Sequence, residues 1–154
     1  MTILHGRALA PGSALGDALV LEQPLSLWGG MDPASGRLVD AHHPQRGALI
    51  SDRILVMPSA RGSSSSSSVL AEAVRAGTAP LAILLGEGDL ILAIGAAVAA
   101  ELYGRQVPIV ELTEADLRRI PDGSRLAVEP DGTVRPADDE DVWAPLSDPG
   151  TATL

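Results

Sequence analysis

Residues 53–77 read RILVMPSARGSSSSSSVLAEAVRAG, and the order of residue types in this stretch decides the fold. Arg53 to Met57 is a β-type run, broken by Pro58 and a turn. Arg61, Gly62 and six serines follow. A helix-type run then covers Val69 to Arg75, with Val69, Leu70, Ala73 and Val74 on one face and Glu72 and Arg75 on the other. Gly77 stops it. A strand that feeds a polar Gly/Ser turn at a helix start makes a small-anion site. Free backbone N–H groups, hydroxyl donors and the helix dipole all face one spot there. Arg61 adds a forked cationic donor that suits carboxylate or phosphate. The segment therefore predicts a site that holds a small acid.

Ser63 to Ser68 also reads as a flexible linker. A linker joins compact blocks of domain size, whereas here strand-like and helix-like patterns abut the serines directly. One serine is expected to cap the helix, but a cap needs only one. Serine is a weak base or nucleophile unless its surroundings favour the alkoxide. A nearby arginine and a helix N-terminus both do so, and Ser63, directly after Arg61-Gly62, is best placed for both. Spacing alone does not say which serine acts, or that chemistry occurs.

Working outward, Leu81 to Leu85 and Val107 to Glu111 read as two more buried strands. Asp89 can cap a helix from Leu90 to Tyr103 that ends at Gly104. That helix is apolar nearly all round, so it is expected to lie sandwiched between other elements. Strand–helix–strand–helix–strand over residues 53–111 implies parallel pairing. Thr113 is placed to cap a short helix, with Asp116 positioned for a capping-box contact. Arg125–Glu129 and Thr133–Arg135 flank Pro130-Asp131-Gly132 as a hairpin. Ile3–Leu9 and Ala14–Leu21 read as strands joined by the Pro11-Gly12-Ser13 turn. The expectation is an α/β fold of β/β/α type, with a parallel βαβαβ centre and flanking β-hairpins. The stretch from Gln23 to Ser51 is a long loop. Such loops are functional or disordered, and Trp28 and the regular turn residues favour order.

Composition narrows the function. With 154 residues and 45% hydrophobic content, one domain with a real core is expected. The net charge of −9 argues against nucleic acid and anionic membranes. The absence of cysteine excludes disulfides and any thiolate zinc or iron–sulfur site built from this chain. MTILHGRALAPG has no basic region ahead of an apolar core. The longest apolar run, Leu90 to Ala100, is short of a membrane span. A cytoplasmic protein is expected. Asp32, Asp40, His42 and His43 are conceivable metal ligands, set against a plain polar loop. Glu87 and Asp89 are more naturally helix-capping residues than site residues.

Three runs carry a resemblance: PLSLWGGMDPASGRLVDAHHP (Pro24–Pro44), ILVMPSARGSSSSSSVL (Ile54–Leu70) and TAPLAILLGEGDLILAIGAAVAAELYG (Thr78–Gly104). In order and spacing they resemble the small-subunit swivelling domain of the aconitase X family, over roughly residues 3–135. The resemblance implies a swivelling domain over residues 1–135 and leaves the acidic, Pro-rich tail, 136–154, outside. It implies a hydro-lyase, active only with a large subunit that carries the iron or iron–sulfur centre. No cofactor would be bound by this chain. Ser63 would be the proton acceptor, and Arg61, Gly62, Ser64 and Ser65 would bind the substrate carboxylate. The long serine run and Arg61 look like the bacterial cis-3-hydroxy-L-proline dehydratases, with archaeal mevalonate 5-phosphate dehydratases as the alternative. Elimination from cis-3-hydroxyproline would give an enamine that tautomerises to a cyclic imine acid, the hydroxyl leaving from the partner's Lewis-acid metal. A different class, a non-catalytic swivel or binding module, is the second alternative. Trp28 and Trp143 are expected at the partner interface or, alternatively, in the domain's own core.

Overall fold

The computed structural model describes residues 1–61, 63–138 and 140–141. Three buried parallel strands form the centre. β6 (Ile54–Met57) pairs with β7 (Ala82–Leu85), which pairs with β8 (Ile109–Glu111), and β6 also pairs in parallel with β3 (Ala14–Val20). All four residues of β6 and of β7 are buried. This is why both read as continuous apolar runs with no polar alternation. Helices α2 (Ser66–Ala76) and α3 (Leu90–Tyr103) make the crossovers, each ended by a left-handed glycine, Gly77 at φ 77° and Gly104 at φ 66°.

The remaining strands extend this sheet in the order β1-β10-β9-β3-β6-β7-β8-β2. β9 (Arg125–Val128) and β10 (Thr133–Pro136) form the expected hairpin. The expected pairing of the first two strands does not occur. Ile3–Leu9 is split at Gly6 into β1 (Leu4–His5) and β2 (Arg7–Ala10). β1 pairs with β10 and β2 with β8, while β3 turns away to pair with β9 and β6. The two ends of the sheet are thus consecutive in the chain, and the sheet closes nearly into a barrel.

Two apolar clusters follow from this closure. Leu4, Ile54, Val56, Leu84, Val110, Leu126 and Val134 fill the interior, with Leu117 and Ile120 packed against them. Leu117 ends the short helix α4 (Glu114–Leu117). On the outer face, Leu55, Met57, Ile83, Leu85 and Ile109 meet Leu70, Ala73, Leu92, Ala96 and Ala99 of the two helices.

The long stretch after β3 is ordered. It holds a helical turn, α1 (Leu27–Gly30), in which Trp28 and Gly29 depart from helical dihedrals. A two-stranded hairpin, β4 (Met31–Asp32) with β5 (Arg37–Leu38), follows. Leu25, Leu27, Met31, Leu38 and Ile50 join the outer cluster. His43 is buried among these loops, its Nδ1 accepting the Gln45 N–H at 3.1 Å while Nε2 lies 3.2 Å from the Gln23 carbonyl.

The sandwiched position expected for α3 is not found. Leu92, Gly95, Ala96 and Ala99 are buried, but Leu90, Ile94, Val98 and Leu102 are 73%, 58%, 41% and 65% exposed. Apolar residues all round the helix predict burial on every side. Among the described residues only one side has a neighbour.

Candidate functional site

The carboxyl ends of β6, β7 and β8 lie on one rim, the place where open parallel sheets bind ligands. Beyond β6 lies the serine turn, beyond β7 the segment Gly86-Glu87-Gly88-Asp89, and beyond β8 Leu112 and Thr113. The three connections are tied together. Gly86 N–H donates to the Pro58 carbonyl at 3.1 Å, and Gly88 N–H donates to Glu111 Oε2 at 2.6 Å. Arg7 pairs with the same carboxylate at 3.1 Å.

The serine turn is closed by its own backbone. Ser66 N–H donates to the Ser63 carbonyl at 2.9 Å, and Ser65 N–H donates to Ser63 Oγ at 3.3 Å. α2 then begins at Ser66, so the later serines enter the helix as the sequence predicts. The expected serine cap is not formed in the usual way. Ser65 occupies the cap position in a helical conformation and makes no side-chain capping bond. Among the described residues no acceptor meets the N–H groups of Ser67 and Ser68. The helix start thus keeps donors free for an anion. Ser63 is partly exposed, and Ser64 and Ser65 are exposed. Arg61 is exposed and, among the described residues, matched to no carboxylate. Gly62 lies outside the described residues.

Asp89 does what a cap does: its Oδ1 accepts from Ile91 N–H at 2.8 Å and Leu92 N–H at 3.1 Å. Glu87 is exposed on the same rim. Thr113 caps α4 by accepting from Asp116 N–H at 3.2 Å, while the Asp116 carboxylate faces Arg119 at 3.6 Å. The loop residues considered as metal ligands have structural partners. Asp32 Oδ1 accepts from Ala34 N–H at 3.0 Å and Oδ2 from Ser35 Oγ at 2.9 Å. These bonds, the backbone one foremost, hold its carboxyl below the usual aspartate value. Asp40 accepts from His42 N–H at 2.9 Å. Among the described residues no three His, Cys, Asp or Glu stand close enough to hold a metal. No described helix is long and apolar enough to cross a membrane.

One residue escaped the sequence reading. Of the six serines, only Ser66 is buried, at 3% exposure. Its Oγ accepts from Trp28 N–H at 3.3 Å and lies 3.4 Å from Ser26 Oγ. The signal was present. Ser66, Leu70, Ala73 and Val74 share the buried stripe of α2 at spacings of four, three and one. Running the stripe back one turn from Leu70 lands on Ser66. Trp28 itself is 59% exposed, which removes it from the domain's own core. Trp143 lies outside the described residues.

Comparison with known proteins agrees with this fold. A family model described as the aconitase X swivel domain matches residues 3–135. A cis-3-hydroxy-L-proline dehydratase of Pseudomonas aeruginosa is 51% identical over 108 residues, covering 70% of this chain and 19% of that protein. A dehydratase of the same name from Hypocrea jecorina is 39% identical, again over 19% of its length. The chain therefore spans about a fifth of these relatives. A phosphomevalonate dehydratase small subunit of Thermococcus onnurineus is 35% identical, covering 83% of this chain and 92% of that protein. The crystal structure of Thermococcus kodakaraensis aconitase X superposes with a TM-score of 0.79 at 32% identity, over 90% of this chain and all of that one. From fold, serine turn and relatives together, the chain belongs to the aconitase X swivel-domain family.

Proposed function

We propose that this chain is the small, swivelling subunit of a two-subunit hydro-lyase that removes water from cis-3-hydroxy-L-proline. The observation that carries the reading is the serine turn. A partly exposed Ser63 stands on the rim at the start of a helix whose first turn keeps free N–H groups, with exposed Arg61 two residues before it. The 51% identical relative, a dehydratase of this acid, supports the substrate. In this reading Arg61 and the free N–H groups at the start of α2 hold the carboxylate, with Gly62, Ser64 and Ser65 as the other substrate-binding residues. Ser63 Oγ receives the proton from the carbon next to that carboxylate.

The described residues of this chain do not fit a metal site, since the sequence has no cysteine and they hold no ligand cluster. The iron or iron–sulfur centre is assigned to the large aconitase-X-type subunit, and the step that releases hydroxide with it. Trp28, exposed next to the serine turn, is assigned to the partner contact. A cytoplasmic location belongs to the same reading.

A second reading has its own support: the chain covers 92% of an archaeal phosphomevalonate dehydratase small subunit. Purified two-subunit enzyme assayed with cis-3-hydroxy-L-proline and with mevalonate 5-phosphate separates the two. Turnover of neither acid would leave the non-catalytic binding module. The chain alone is expected to be folded, metal-free and inactive. Stoichiometric iron or unaided turnover would overturn the two-subunit reading.

A further inference from the structure

We infer that Ser66 is a positioning residue, fixing the proton-accepting serine by bolting the serine turn to the Trp28 segment. The inference rests on the reading of Ser63 as proton acceptor. Its grounds are geometric. The turn that carries Ser63 is a short excursion between β6 and α2, and Ser63 Oγ has one partner within it, the Ser65 N–H. The start of this excursion is tied to Gly86 through the Pro58 carbonyl, and its far end is anchored to the body of the domain by Ser66. Its backbone N–H holds the Ser63 carbonyl at 2.9 Å. Its hydroxyl is buried and faces Trp28 N–H and Ser26 Oγ on a segment forty residues earlier in the chain. Ser63 and the Trp28 segment are thus joined through one residue.

The opposite side of the turn is held by shape. Gly95 of α3 lies against Ser67, and a Cβ built there would stand 2.8 Å from the Ser67 carbonyl oxygen and 2.9 Å from its Cα. With α3 on one flank and the Ser66 hydroxyl on the other, the turn has little freedom to shift. A base displaced by about 1 Å loses on the order of 100-fold in rate. A buried hydroxyl that fixes the turn therefore acts on catalysis without touching substrate. Ser67 and Ser68 do not share this role: among the described residues Ser67 Oγ bonds only to the Ser64 carbonyl, at 2.8 Å, and Ser68 is exposed.

The test uses the assembled two-subunit enzyme and whichever of the two acids it dehydrates, with and without deuterium at the carbon next to the carboxylate. Ser66→Ala is expected to lower kcat about 10- to 100-fold with KM little changed, and to raise the primary isotope effect on kcat. A misplaced base makes proton transfer more rate-limiting. A merely smaller folded fraction lowers kcat and leaves the isotope effect where it was. Ser13→Ala, at an exposed serine between β2 and β3, is expected to match the wild type. Should Ser66→Ala fail to fold, Ser26→Ala removes one partner of the same hydroxyl, and a smaller rise of the isotope effect is expected. An unchanged isotope effect in the variant that folds overturns the inference. Normal turnover by Ser63→Ala would instead overturn the underlying reading, so the two failures are distinct.

Discussion

α2 and α3 are neighbours with the same setting, yet they are finished in opposite ways. Each follows a buried parallel strand, each rests on the outer face of the sheet, and each ends at a left-handed glycine. α3 has a sealed start, two of its N–H groups taken by Asp89, and an open flank of Leu90, Ile94, Val98 and Leu102. α2 has a completed flank, where Arg75 Nε donates to Glu72 at 2.9 Å, and an open start without a side-chain cap. A capped start and a polar flank are what a helix needs to be self-sufficient. The place where each helix falls short is the place where stability alone does not explain its residues.

The largest expected effect tests the open start of α2. In the two-subunit enzyme, Ser63→Ala should lower kcat by about 100- to 10,000-fold, the usual worth of a general base, with modest change in KM. Steady-state kinetics on a variant that still folds and assembles checks it. Near-normal turnover would reduce the open start to a structural accident.

Next comes the contrast between the two sides of α3. Leu92→Ala, at a fully buried position, should cost about 2–5 kcal/mol in urea unfolding of the chain. Ile94→Lys, on the open flank, should stay within about 0.5 kcal/mol. A large loss for Ile94→Lys would mean the flank is covered in the isolated chain.

Gly95→Ala sharpens the contact between the helices. The added methyl meets the Ser67 backbone, and overpacking of this kind costs about 1–3 kcal/mol. A neutral result would show that the serine turn yields freely.

The caps should then separate the two starts. Asp89→Ala should destabilise by about 1 kcal/mol, whereas Ser65→Ala, which loses no capping bond, should leave the melting temperature unchanged. Equal losses would erase the distinction.

The smallest effect is acidic. The hydrogen bond from Arg75 holds the Glu72 carboxyl below its ordinary 4.5. Its folded value lies under its unfolded value, so its contribution is present above pH 4.5 and fades as pH falls through the folded value. Stability measured from pH 6 downward should lose that component in Glu72→Gln.

Much of this was legible in the residues. The central strands announced themselves as apolar runs, and Asp89, Thr113, Gly77 and Gly104 marked the helix ends by their chemistry. Ser63 and Arg61 stood out by type and order. Closure of the sheet did not, because pairing of Leu4 with Val134 depends on contacts that no local period encodes. The outer side of α3 misled for a related reason: hydrophobicity says that a face is to be covered, but not by which chain. Ser66 was hidden among identical neighbours, and only helix phase tells it apart.

The one-residue gap at Gly6 has a consequence for how the chain is made. Leu4 finds its partner only when Val134 exists, so the ribosome must deliver nearly the whole domain before the sheet can close. Until then β2 has β8 to pair with, but β1 and β9 wait as open edges. Long-range pairing of this kind is slow to form, and unpaired edges are where newly made chains meet one another. A chain cut just before Thr133 would keep every residue of the serine turn and still present those edges. Loss of the last hairpin strand should therefore register as aggregation during synthesis rather than as a missing catalytic group.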